Sequence, residues 1–298
     1  MSCHQLTLLV LAAGMGSRYG GLKQLDPMGP DGQTVIDYSV HDALLAGFSR
    51  VVFVIRRDFE KDFRDQVGSR YEGRAEISYA FQATDDLPAT FAPPADREKP
   101  WGTGHAVWCA RHLLDGPFAM INADDFYGRQ AFADLAAHLA RPRAGTVPEF
   151  AMVAYQLGKT LSDHGSVSRG ICQVDPAGFL VSVTEHTKIV PFAAAAQDQA
   201  DPDHPIPLDL GAPVSMNLWG FTPDFLPLLE GHLISFLQAR RTEPKSEFYV
   251  PSVVDSLVKS GQARVRVLST TSPWFGVTYP EDKPIVQRAI AALEDSYP

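Results

Sequence analysis

The chain has 298 residues, 45% apolar and 20% charged, enough to bury a sizeable core as one large α/β domain or two ordinary ones. A net charge of −9 argues against nucleic acid or an anionic membrane as the main partner. The dispersed Cys3, Cys109 and Cys172 form no CxxC pair and support neither a disulfide framework nor a zinc site.

The segment "LTLLVLAA" (6–13) is a short Leu- and Val-rich run ended by glycine, which predicts a core strand. It is too short for a secretory segment and lacks a basic flank, and no stretch approaches the ~18 apolar residues of a membrane span. A cytoplasmic protein is expected. Behind the strand, "GMGSRYGGLKQLDPMGPDG" (14–32) sets glycines beside Arg18 and Lys23. Glycines let a backbone approach a ligand, and the cations suit an anion.

Two readings compete for this loop. Gly14, Gly16 and Gly20 approximate the GxGxxxG of a dinucleotide turn, which should run straight into a helix. Here glycines and prolines continue to Gly32, so helix patterning begins only near residue 34. That favours a loop wrapping a nucleoside triphosphate, with backbone amides, a planar arginine and a mobile lysine on its phosphates.

Helical spacing then predicts a helix over 34–48, stopping at Gly47, followed by a strand at 50–55, a helix at 60–71 and a strand at 76–82. A helix at 104–114, a strand at 118–123 and a helix at 130–140 complete the first half. Such alternation implies parallel βαβ units with helices on both faces, and ligands at the carboxyl ends of the strands. The second half predicts strands at 150–157, 170–175, 179–186, 213–221 and 263–270, with helices at 248–261 and 281–295. Residues 84–100 and 191–213 have loop composition and suit a lid, a subunit contact or a disordered excursion.

On these motifs the chain resembles the sugar-1-phosphate nucleotidyltransferases. "LAAGMGSRYGGLKQL" is similar to that family's opening signature, and Arg18 and Lys23 fall on its pyrophosphate-binding and catalytic cations. The resemblance implies nucleotide contacts from Leu11, Ala13, Gly14, Gly16 and Ser17. "YAFQ" resembles the strand whose glutamine reads the base, nominating Gln82, and "KPWGTGHAVWCA" resembles the segment whose backbone contacts it, nominating Gly102, Thr103 and Gly104. "INADDFYG" resembles the turn that carries the magnesium ligand, which puts Asp124 there. Adjacent strand residues face opposite sides, so Asp125 is not expected to share the ion.

Downstream, "SDHGSVSRG" nominates Gly165, "VSVTEH" nominates Glu185, and "VSMNLWGF" nominates Asn217 for the sugar phosphate. His186 stands where the family usually has lysine. "PWFGVTYPED" departs further: the sugar enzymes have Trp-x-Asp-Thr-Gly, whose aspartate is a second metal ligand, and Gly276 stands in its place. This ending looks more like the Thr-Pro-Glu-Asp of the cytidylyltransferases, where Glu281 and Asp282 open the last helix as N-caps.

The resemblance implies a Rossmann-like three-layer α/β/α fold with a mixed, mostly parallel central sheet. It also implies one domain over 1–298, with a nucleotide-binding half (1–135) and a sugar-phosphate-binding half (150–298). No further β-helix domain is expected after it. The expected reaction is Mg2+-dependent formation of an NDP-sugar and pyrophosphate from an NTP and a sugar-1-phosphate. A homo-oligomer is an open expectation; nucleic-acid and membrane partners are not expected. The alternatives are a cytidylyltransferase-like enzyme on a non-sugar phosphate, a catalytically silent nucleotide-sugar sensor, and an NAD-dependent oxidoreductase. His105, His112 and the tryptophans Trp101, Trp219 and Trp274 suit structural roles.

Overall fold

The computed structural model describes residues 5–14, 26–142, 145–162, 164–277, 280–293 and 297. The first half runs β1 (Leu6–Leu11), α1 (Val35–Leu45), β2 (Phe48–Ile55), α2 (Glu60–Gln66), β3 (Glu76–Phe81), α3 (Thr103–Cys109), β4 (Phe118–Asn122), β5 (Asp125–Phe126) and α4 (Arg129–Leu139). The second half runs β6 (Glu149–Gln156), β7 (Val167–Val174), β8 (Leu180–Phe192), β9 (Ala195–Asp198), β10 (Ile206–Leu208), β11 (Pro213–Phe221), α5 (Phe225–Arg240), α6 (Val250–Lys259), β12 (Arg264–Ser269), β13 (Phe275–Gly276) and α7 (Lys283–Ala291).

Strands of both halves join one eleven-stranded sheet. Its spine has the order β3-β2-β1-β4-β11-β6-β12, in which β11 alone runs against the others. From the first residues of β11 an antiparallel meander, β7-β8-β9-β10, branches away. The mixed sheet with helices on both faces agrees with the expected α/β architecture.

Strand alternation explains the layers. Leu8 and Val10 of β1 face Ile36 and Val40 of α1 and Phe132 and Leu135 of α4. Leu9 faces the other core, with Val107 of α3, Leu229 and Leu233 of α5 and Val253 of α6. Each such side chain removed from water contributes roughly 1.5–3 kcal/mol. The start of α1 is set by Asp37, whose carboxylate accepts the Thr34 backbone N–H at 2.6 Å and satisfies a donor the helix leaves open.

The structure differs from the sequence reading in three places. Residues 191–213 are not simply a loop: they carry the end of β8, then β9 and β10, and Ile189 to Phe192 pair with Asp198 to Ala195. The sixteen-residue α5 was not expected; it buries Phe225, Leu229, Leu233 and Leu237 at four-residue spacing. The helices forecast at 60–71 and 104–114 are also shorter, α2 and α3 each being followed by a 3-10 turn. Among the described residues no helix is long and apolar enough to cross a membrane.

Candidate active site

The carboxyl ends of β1, β3 and β4 share one edge. Leu11 is in register with Asn122, and its carbonyl accepts the Ala123 N–H at 3.1 Å. Ala12 and Ala13 are buried, and the chain surfaces at Gly14. Gly16, Ser17, Arg18 and Lys23 lie outside the described residues. Gln82 follows β3, held by its backbone N–H to Ile55 O at 2.9 Å, and Asp124 follows β4.

Gln82 meets the segment before α3. Its Nε2 donates to Gly102 O at 2.9 Å. Gly102 sits at φ +100°, and a Cβ there would lie 2.7 Å from Phe248 O, so the position accepts little but glycine. The same segment is stitched to the second half of the chain. Gly104 N–H donates to Phe248 O at 2.9 Å, and Val250 N–H donates to the Thr103 hydroxyl at 3.1 Å.

Asp124 and Asn122 line a cleft of about 370 Å³ whose far wall comes from β7, β8, the start of β11, the start of α6 and Trp274. Asn217 lines it because β11 is bulged: from Ser215 to Trp219 the strand advances four residues while its partner β6 advances two. Asn217 takes φ +62°, which asparagine tolerates better than most residues, and its Oδ1 accepts from Trp219 Nε1 at 3.4 Å. The glycine in the wall is Gly170, not Gly165. Gly165 precedes β7 and is not part of the lining, whereas Gly170 pairs with Glu185, and a Cβ there would come within 2.9 Å of Val183 Cγ2. Both glycines are in the quoted motif; only the strand register separates them.

Glu185 is open to water on one side but set among the cleft walls. Burial pushes its carboxyl above the usual range, against the pull of Arg169 and His186. His186 does not join the cleft: its Nδ1–H donates to Asp198 Oδ2 at 2.9 Å. Arg169 does join it and is 8% exposed, a cation the motif reading passed over. Only its position after Ser168, in a strand facing "TEH", could have marked it.

The two aspartates divide their work. Asp125 is buried, and its Oδ2 accepts from Asn122 Nδ2 at 2.9 Å and from the Tyr127 hydroxyl at 3.2 Å. Asp124 is half-buried at the rim of the cleft. Gly276 pairs with Asp125 across the small β5–β13 ladder, and a Cβ on it would fall 2.3 Å from Asp125 Oδ1. No side chain fits at 276 while Asp125 holds this pose. Asp282 stands at the N-cap of α7, without a side-chain hydrogen bond to the helix backbone; the Ser162 hydroxyl lies 3.5 Å from its Oδ1.

A cleft at the carboxyl edge of a mainly parallel spine, with its opposite wall supplied by a branching antiparallel meander, is the place where doubly wound α/β folds bind their ligands. Residues 8–152, just under half of the chain, match the MobA-like NTP transferase domain. It is 31% identical over 202 residues to the bifunctional protein GlmU of Corynebacterium diphtheriae, an alignment covering 64% of this chain and 38% of that protein. It is 30% identical over 130 residues to the UTP–glucose-1-phosphate uridylyltransferase of Komagataeibacter xylinus, covering 38% of this chain and 43% of that one. The chain thus spans about two fifths of the length of these curated relatives. Among solved structures, a Bacillus anthracis protein assigned as a glucose-1-phosphate thymidylyltransferase superposes with a TM-score of 0.61 at 11% identity, over 95% of this chain and 94% of that one. The inositol-1-phosphate CTP transferase of T. maritima gives 0.60 at 13% identity, over 99% and 98%. At these identities the structural likeness is one of fold.

Proposed function

We propose that this chain is a Mg2+-dependent nucleotidyltransferase that joins an NTP to a sugar-1-phosphate or a related phosphate and releases pyrophosphate. The observation that carries the reading is the single cleft in which Asn122 and Asp124, from the strand ends of the NTP transferase half, face Gly170, Glu185 and Asn217 of the second half. On this reading residues 1–298 act as one domain with a nucleotide half and an acceptor half.

The nucleophile is a phosphate oxygen of the acceptor, already ionised, so no general base is required. It attacks the α-phosphorus, and the bond to the bridging oxygen of the β-phosphate breaks as pyrophosphate leaves. What the chain must supply is alignment and neutralisation of crowded negative charge. Arg18 draws charge onto the leaving pyrophosphate, and Lys23 bridges the attacking phosphate and the α-phosphate; both roles rest on the sequence motif. Gln82 and the Gly102–Gly104 backbone hold the base, and Glu185 and Asn217 hold the acceptor's hydroxyls.

The donor set suits magnesium. Asp124, Asp125 and Glu185 bring carboxylates to the cleft; Asp124 is half-buried beside the end of β4, and the Asp125 carboxylate accepts hydrogen bonds from two side chains. No group of three metal-binding side chains occurs among the described residues. Magnesium keeps several waters and is commonly bound through one or two carboxylates plus substrate phosphates, so Asp124 would suffice as its protein ligand. Bound there by Asp124, the ion would supply charge neutralisation at the α-phosphate oxygens.

A second reading, a cytidylyltransferase-like enzyme on a polyol phosphate, is favoured by Gly276, where Asp125 leaves no room for the aspartate of the sugar enzymes. One assay separates the two: pyrophosphate release with Mg2+, crossing the common NTPs and dTTP against sugar-1-phosphates and polyol phosphates. Release that requires one pair names both substrates. Silence across the panel from folded, NTP-binding protein would overturn the transferase reading.

A further inference from the structure

We propose that Arg169 is the cation that receives the phosphate of the acceptor. Of the described residues lining the cleft it alone carries a positive side chain. It is 8% exposed, so its charge is largely withdrawn from water, and a buried charge calls for a counter-ion.

Among the described residues none provides one in contact. Nε donates to Thr160 O at 3.2 Å and to the Thr160 hydroxyl at 3.1 Å. Nη1 donates to Ser168 O at 2.8 Å, and Nη2 donates to Thr160 O. All of these acceptors are neutral. Asp125, Glu185 and Asp282 act on the guanidinium only through space, and burial still brings its pKa down to about 10. The group therefore stays charged at neutral pH. Of its five N–H groups, one on each terminal nitrogen is left without an acceptor among the described residues. Its Cζ lies 4.9 Å from the Trp274 ring centre, a contact that with the Thr160 carbonyl fixes its orientation in advance. A fixed guanidinium with two open donors and no contacting carboxylate matches a phosphate monoester, which accepts from both terminal nitrogens.

Two anions could reach it, the acceptor's phosphate and the phosphates of the nucleotide. Position favours the acceptor. Arg169 precedes Gly170 and lies within electrostatic reach of Glu185 on the second-half wall, whereas β1, whose end leads toward the glycine motif, is separated from β7 in the sheet by β11 and β4. His186, in register with Arg169, is hydrogen-bonded to Asp198 and does not line the cleft.

The naming of the anion rests on the transferase reading; the anion subsite itself does not, and the tests are separable. In protein labelled with 15N-arginine, the Nε resonance lost in Arg169→Lys identifies the group. Orthophosphate and glucose 1-phosphate, each added without nucleotide, are expected to shift it saturably. A resonance that ignores both overturns the proposal whether or not the enzyme turns over. In the pyrophosphate assay, Arg169→Lys is expected to raise the acceptor KM about tenfold, the loss of about 1.4 kcal/mol of binding, with the NTP KM little changed. A rise in the NTP KM alone would assign Arg169 to the nucleotide and overturn the acceptor role. A wild-type protein that releases no pyrophosphate, yet whose Arg169 responds to phosphate, would sink the transferase reading and keep the anion subsite. Circular dichroism of Arg169→Lys, which retains the charge, confirms that the comparison is between folded proteins.

Discussion

Nε2 of Gln82 lies 3.3 Å from Nδ1 of His105, and the far side of the same imidazole donates from Nε2 to Asp86 O at 2.6 Å. A carbonyl only accepts, so the ring proton is on Nε2 and Nδ1 must accept from Gln82. The amide of Gln82 also donates to Gly102 O. Both of its N–H groups are therefore spent on the protein, and Oε1 is what remains for a ligand.

The base preference follows from that orientation. Uracil and thymine offer a ring N3–H to an acceptor, while N3 of cytosine is itself an acceptor and would oppose Oε1. If Gln82 reads the base, UTP or dTTP is expected to outperform CTP. His105→Phe, which lets the amide turn, is expected to shrink the ratio of kcat/KM values by about tenfold, the worth of one hydrogen bond at ~1–1.5 kcal/mol. An unchanged ratio would remove Gln82 from base recognition.

His105 also predicts an acid limit. Burial lowers its pKa from 6.5 to about 4, so the folded state resists the proton that the unfolded state takes up below pH 6.5. Stability is thus complete above that value and is lost as pH falls from 6.5 through 4, by up to about 3 kcal/mol from this group. Urea unfolding of wild type and His105→Phe across the window checks it. The variant's stability should fall less steeply, and parallel curves would show that His105 is not the group titrating.

Gly276 is held by space. Its missing Cβ would meet Asp125 Oδ1 at 2.3 Å and the Trp274 ring at 3.0 Å. Gly276→Ala is expected to cost about 1–3 kcal/mol through overpacking. Gly276→Asp should be no better, and should not lower the Mg2+ concentration needed for half-maximal rate. Thermal melts and a magnesium titration read the two effects. A Gly276→Asp enzyme that folds like wild type and needs less magnesium would show that the site still accepts the second carboxylate.

The sheet spine was legible because β1, β2, β4 and β6 are apolar runs bounded by turns, and α1, α4 and α6 keep helical spacing. The helix α5 escaped because Pro227 and Gly231 interrupt "FLPLLEGHLISFLQAR", although the proline falls in the first turn, where its missing N–H costs nothing. β9 and β10 hide in a Pro- and Asp-rich stretch, and their pairing comes from the long neighbour β8 rather than from their own propensity. Asp124 and Glu185 lay in readable motifs. Arg169 did not, because what singles it out is burial without a contacting carboxylate, and burial is a property of the packed chain.

The pair Asp124–Asp125 gives a test that separates catalysis from architecture. Asp125 accepts two side-chain hydrogen bonds in a buried position, so Asp125→Ala leaves the Asn122 amide short of an acceptor, while the Tyr127 hydroxyl keeps Met216 O at 2.9 Å. That is expected to cost about 1–3 kcal/mol of stability. Asp124→Asn removes a charge at the cleft rim while keeping its shape, and should melt within a degree or two of wild type, the range of an ordinary surface change. Its kcat, however, should fall by about 10²–10³, as for the loss of one preorganised charge group, and Lys23→Ala should fall by a similar ~3–4 kcal/mol of transition-state stabilisation. The decisive comparison is rate against melting temperature for the three variants. Asp124 and Lys23 should lose rate at constant stability, whereas Asp125 should lose stability first. Full activity in Asp124→Asn, or in Lys23→Ala, would remove that residue from the chemistry.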